Sequence, residues 1–153
     1  KPDQVTLVPD PPEVLTSNTG WDTVKNKDFL SEIIQELRLS GARISVFCNP
    51  EISMVEGAAQ IEANRIELYT GPYAQDFVQN PAQALRSFVE AADVAKKIGL
   101  GVNAGHDLDL QNLKYLKKGI PYLAEVSIGH ALFCDALYYG IENTIQMYKR
   151  QLQ

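Results

Sequence analysis

A chain of 153 residues with 45% hydrophobic and 22% charged side chains fits a single globular domain, residues 1–153, with a sizeable core. Its formal net charge of −5, unbroken by any Lys/Arg cluster, argues against a nucleic-acid surface, because that affinity rests on neutralising phosphates. No apolar run approaches the roughly 20 residues that span a bilayer, and no signal peptide stands at the start, so a cytoplasmic protein without a membrane partner is expected.

In chain order, Gln4–Pro9 (QVTLVP) reads as a buried strand, and Asp10–Asp22 (DPPEVLTSNTGWD) as a long loop whose Pro, Ser, Thr, Asn and Gly exclude helix. Ordered loops of that length tend to be lids or binding loops. Asp28–Ser40 carries Phe29, Leu30, Ile33, Ile34 and Leu37 at helical spacing and is stopped by Gly41. Arg43–Cys48 (RISVFC) is the next strand. Asn49-Pro50-Glu51 then predicts a helix start, with Met54, Val55, Ala58, Ala59 and Ile61 as its buried stripe. Arg65–Tyr69 (RIELY) is a third strand, and TGPYA a loop. Asn80-Pro81 opens a longer helix with Leu85, Phe88, Val89, Ala92, Ala95 and Ile98 inward, ended by Gly99.

A fourth strand from Leu100 stops abruptly at Asn103, Ala104, Gly105 and His106. A helix from about Asp109 to Lys118 follows, then the strand Leu123–Ile128 running into Gly129-His130. Two helical segments, near His130–Leu137 and Ile141–Leu152, flank Gly140. Cys48 and Cys134 have no partner at metal-site spacing and are expected to be reduced and mostly buried.

Strands that alternate with helices imply an α/β fold with a parallel sheet and right-handed crossovers. The five units average about 31 residues, and eight would need roughly 245, close to a (β/α)₈ TIM barrel. Two folds therefore compete: a five-stranded doubly wound domain, or the last five units of a TIM barrel. In either, function sits at the carboxyl ends of the strands, which directs attention to Thr16, Glu67, Thr70, Asn103, His106, Ser127 and His130.

His106 is a natural acid or base at the mouth of a loop. Glu67, between Ile66 and Leu68, is a costly carboxylate in a buried strand unless it has a partner or a task; a pairing with Arg65 is the plainer alternative. Gly129-His130, after the last strand and opening a helix, suits an anion held by backbone N–H groups. Two sharper alternatives are a divalent metal on His106, Asp107 and Asp109, and a Cys–His dyad of Cys134 and His130.

VNAGH (Val102–His106), IELYTG (Ile66–Gly71) and SIGHAL (Ser127–Leu132), with LVP before a Thr/Gly loop and SVF, occur in an order that resembles the pyridoxine 5′-phosphate synthase family. The resemblance implies a (β/α)₈ TIM barrel whose first three units are absent here. It implies condensation of 1-deoxy-D-xylulose 5-phosphate with 3-amino-2-oxopropyl phosphate, releasing phosphate and water, without metal or redox cofactor, in a homo-oligomer, an octamer. Position by position, it makes His106 the proton donor, Glu67 the transition-state-stabilising carboxylate and Thr16 a deoxyxylulose-phosphate contact. Asp107, Gly129 and His130 match positions that hold the amino-ketone phosphate. The loop that usually reads EVTTEGGLD in the family is VLTSNTGWD here, and the residue after the histidine, usually Gly in the family, is Asp107, where a backbone N–H would still serve.

Overall fold

The computed structural model describes all 153 residues. Five parallel strands hydrogen-bond in the order β1 (Gln4–Leu7), β2 (Arg43–Cys48), β3 (Arg65–Tyr69), β4 (Gly101–Gly105) and β5 (Glu125–Ser127). Between and after them run α1 (Lys27–Arg38), α2 (Ile52–Gln60), α3 (Gly71–Phe77), α4 (Pro81–Lys97), α5 (Leu113–Gly119), α6 (His130–Tyr139) and α7 (Ile141–Gln151). Spatial order equals chain order, whereas a doubly wound sheet reverses direction at a switch point. The doubly wound alternative is therefore set aside.

The two sheet faces differ in chemistry. On one, Ile44, Val46, Cys48, Ile66, Leu68, Val102 and Ala104 join the helices' Leu30, Ile34, Val55, Phe88 and Leu116 in one apolar core. On the other, the register sets Phe47, Glu67, Asn103 and Glu125 side by side, with Thr6 and Ser45 paired one layer below. That polar face is concave. Three strand spacings would put β2 and β5 roughly 14 Å apart in a flat sheet, yet an Arg43 guanidinium nitrogen meets Glu125 Oε1. Asn103 Nδ2 donates to Glu125 Oε2 at 3.1 Å, and Arg65 Nη1 donates to Asn103 Oδ1 at 3.0 Å. The five strands thus form a half-barrel, with helices outside and polar side chains within.

Several expected boundaries shift for local reasons. TGPYA is not a loop: Pro72 supplies the preset φ of a first helical turn, and α3 buries Tyr73 completely. Asn49 does not cap α2, which opens after Glu51, because its side-chain oxygen accepts from Gly20 N at 3.0 Å. The helix expected from Asp109 begins at Leu113. Asp109 Oδ1 instead accepts from the N–H groups of Gln111 and Asn112, closing a turn before it. The first and last strands are shorter than their apolar runs. Phe29 and Ile98, expected inward, are exposed, and so is Cys134, whereas Cys48 is buried and its thiol is pushed up to about 12 by desolvation and then by Glu51.

Candidate active site

The carboxyl ends of the strands open into a cleft of about 590 Å³ lined by Thr16, Ser17, Phe47, Glu67, His106, Asp107, Ser127, Gly129 and His130, among others. Of the residues that the sequence placed at the strand ends, Thr16, Glu67, His106, Asp107, Ser127, Gly129 and His130 therefore face one cavity. Thr70 and Asn103 do not line it; they bond to the backbone and to neighbouring strands instead. The floor of the cavity is Glu67, 7% exposed, in the centre of the arc. Thr6 Oγ1, two strands away on β1, donates to Glu67 Oε2 at 3.2 Å. Burial pushes the Glu67 carboxyl above the usual carboxylate range, the Ser127 and Thr6 hydroxyls pull it partly back, and the Glu125 charge adds to the rise. Arg65 does not pair with it, being bonded to Asn103. Gly105 makes room: a Cβ there would stand 2.2 Å from Glu67 Oε1.

His106 leaves β4 in a conformation that L-residues rarely adopt, with φ 93°, and Asp107 follows at φ 55°. Two buried residues hold this strained turn. The one Thr70 hydroxyl proton is shared between the carbonyls of Gly105 (2.7 Å) and His106 (2.5 Å), while Asn112 Nδ2 donates to the Asp107 carbonyl at 3.1 Å. Asn112 is itself fixed, since its carbonyl accepts from Tyr73 Oη at 2.7 Å and its Oδ1 from Asp109 N at 3.0 Å. Strain kept in place by such over-determination marks functional turns. The imidazole lies edge-on to Tyr69, centroids 5.2 Å apart, and Tyr69 in turn packs on Phe47 at 5.4 Å.

The long loop between β1 and α1 reaches over the ring. Thr16 Oγ1 lies 2.9 Å from His106 Nε2, and Ser17 Oγ donates to Asp10 Oδ2 at 2.5 Å. Its far end is pinned where Gly20 passes the β2 backbone so closely that a Cβ would fall 2.3 Å from Cys48 Cα. Across the cleft, Gly129 precedes α6 with nothing near its Cα hydrogens, leaving room for a ligand against the backbone. His130, the first residue of that helix, is exposed on the same rim.

No three His, Cys, Asp or Glu side chains gather closely enough to form a metal site, and the Asp109 carboxylate is engaged by two backbone N–H groups. Sequence reasoning missed Phe47, Tyr69 and Asn112. The first two share strand parity with Glu67, the one signal that could have found them.

Fold and site together define an α/β half-barrel protein with a ligand cleft at the carboxyl edge of its sheet. The chain belongs to the family described as pyridoxal phosphate biosynthesis protein PdxJ, whose model matches residues 1–153. It is 61% identical over its whole length to a protein of Cytophaga hutchinsonii named pyridoxine 5′-phosphate synthase, and 57% identical to one of that name from Bacteroides fragilis. It spans 64% and 65% of those two relatives. Among solved structures, a chain of the BexX/CysO complex of Amycolatopsis orientalis superposes with a TM-score of 0.51 at 19% identity, over 80% of this chain and 48% of that one. That likeness concerns the fold alone.

Proposed function

We propose that these residues form the larger part of a (β/α)₈ TIM barrel that acts as a pyridoxine 5′-phosphate synthase, a ring-closing transferase. It would condense 1-deoxy-D-xylulose 5-phosphate with 3-amino-2-oxopropyl phosphate and release phosphate and water. The observation that carries the reading is the convergence of Glu67, His106 and Gly129-His130 on one cleft, in a chain whose relatives bear that enzyme's name. Barrel closure is supported by the open outer edges of β1 and β5. It is also supported by the apolar surface that α6 and α7 leave bare, where Leu137 and Tyr138 are each 86% exposed.

In this reading His106 gives a proton to a departing hydroxyl or phosphate. Glu67, whose negative charge is poorly solvated, gains most when positive charge develops on the substrate nitrogen, and so stabilises that transition state. Thr16 touches the deoxyxylulose phosphate. Gly129, His130 and the Asp107 backbone hold the amino-ketone phosphate at the start of α6, where free N–H groups favour an anion. A homo-oligomeric assembly and a cytoplasmic setting belong to the same proposal. No helix is long and apolar enough to cross a membrane.

The test is incubation of the full-length protein with both phosphorylated substrates and detection of pyridoxine 5′-phosphate by mass spectrometry. Product is expected from the full-length protein and none from residues 1–153 alone. Tight binding of either phosphate without product would support instead a non-catalytic half-barrel that binds phosphorylated ligands.

A further inference from the structure

His106 has two ring nitrogens in different surroundings. Nε2 faces the cleft and Thr16 Oγ1 at 2.9 Å. Nδ1 is buried, with no aligned hydrogen-bond partner, and the only carboxylate within ion-pair distance is that of the next residue, Asp107 Oδ2 at 3.0 Å. Neighbouring side chains in an extended segment point to opposite sides. Here two successive residues with positive φ turn the Asp107 carboxylate back toward the ring. The turn is bolted from both ends by Thr70 on the His106 carbonyl and Asn112 on the Asp107 carbonyl. The Asp107 side chain is 51% exposed and free to turn into line with Nδ1.

We propose that Asp107 is a positioning residue for His106: its carboxylate keeps a proton on Nδ1, so that Nε2 is the nitrogen that gains and gives up the mobile proton. This rests on the proton-donor role proposed above for His106. It gives the Asp107 charge a use on the ring, turned from the phosphate that its own backbone N–H would hold. With the carboxylate swung into line, Nδ1–H donates to it and the Nε2 lone pair accepts from the Thr16 hydroxyl. After protonation at Nε2 the same carboxylate faces an imidazolium and stabilises it, and Nδ1 never releases its proton. A histidine's working nitrogen is selected in this way by the bond that the other nitrogen makes.

Other groups around the ring do not compete for Nδ1. Tyr69 packs perpendicular to the imidazole, and its phenol stays neutral, held above its usual value by burial and then by the Asp107 charge. The Asp109 carboxylate is taken by the Gln111 and Asn112 N–H groups, and that of Asp10 by Ser17. Glu67 and His130 share the cleft, Glu67 bonded to Thr6 and His130 exposed at the start of α6.

The experiment is solid-state NMR of the full-length protein labelled with nitrogen-15 histidine, the His106 signals being assigned by their loss in His106→Asn. At a pH where the ring is neutral, the wild-type protein should show His106 protonated at Nδ1. Asp107→Gly removes the carboxylate at a φ of 55° that glycine adopts freely, so folding is not endangered. In that variant the signal should move toward the Nε2–H form that free imidazole side chains prefer. With both substrates, kcat should fall by a few-fold with KM little changed, because His106 itself remains and Gly is the residue that usually stands here in the family. Asp107→Glu, which returns the charge on a longer arm, should recover part of both signals. An Asp107→Gly protein with the Nδ1–H tautomer intact, or with undiminished kcat, would overturn the proposal. Lack of turnover in the wild-type protein would instead overturn the enzymatic reading, because the tautomer is read without substrate.

Discussion

Thr16 and His106 are 90 residues apart in the chain, yet the Thr16 hydroxyl stands 2.9 Å from His106 Nε2. The long loop after β1 therefore rests on the imidazole. A substrate that needs Nε2 must displace this hydroxyl or recruit it. Thr16→Val removes the contact while keeping the side chain's shape. One net hydrogen bond contributes about 1 kcal/mol, so KM for the sugar phosphate should rise about fivefold, with kcat less affected. An unchanged KM would show that the loop closes without Thr16.

The loop itself should respond to ligand. Its middle is tied by little beyond Ser17–Asp10 and Thr16–His106, whereas its far end is fixed by Gly20 and Trp21 against β2. Amide hydrogen exchange in residues 10–19 should therefore be fast in the free protein and slow markedly when the sugar phosphate binds. Equal exchange rates with and without ligand would exclude a lid.

Thr70 is the buried clamp under the strained turn. Thr70→Val leaves the carbonyls of Gly105 and His106 without that donor, which should cost about 1–3 kcal/mol of stability. Thr70→Ser retains the hydroxyl and should recover most of the loss. Urea denaturation of the three proteins measures both. A larger loss of kcat than of KM in Thr70→Val would show that the turn serves His106 and not the fold alone.

Glu67 ties activity to stability against pH. Its carboxyl is held above the usual range in the fold, chiefly by burial. The unfolded chain therefore loses its proton first as pH rises, and the unfolded state binds fewer protons. The Glu67 contribution to stability falls from the ordinary carboxylate range up to the raised folded value and is level beyond it. Glu67→Gln should remove that decline, making the variant at least as stable as the wild type at neutral pH while its activity drops by about 10²-fold or more. Thermal melts in the acid and neutral ranges provide the check. A variant less stable at neutral pH would mean that the Thr6 and Ser127 hydroxyls more than offset the burial cost.

The parts of this architecture that depend on local pattern were legible in the sequence. Apolar strand runs, helix stripes such as Leu85–Phe88–Ala92–Ala95 and the abrupt polar end of the fourth strand each follow from periodicity and turn chemistry. The strand ends then delivered Glu67, His106 and His130 to one cleft without any long-range information. What stayed hidden depends on distant partners. Tyr73 turns TGPYA into a helix only because its ring is buried in the core and its hydroxyl reaches the Asn112 carbonyl, 39 residues on. Asn112 reads as an ordinary turn residue until its amide is seen holding the Asp107 carbonyl. The Arg43–Glu125 pair, 82 residues apart, reports curvature that no periodicity contains.

The most direct test of the account is the kinetic comparison of His106→Asn with His130→Asn in the full-length protein, using both phosphorylated substrates. His106, on the strained turn with Nε2 in the cleft, is assigned the proton. His130, exposed at the first position of α6, is assigned the phosphate. The account predicts that His106→Asn lowers kcat strongly, by about 10²-fold or more, with substrate binding nearly unchanged, and that His130→Asn mainly raises KM. His106→Asn changing KM alone, with kcat preserved, would contradict it.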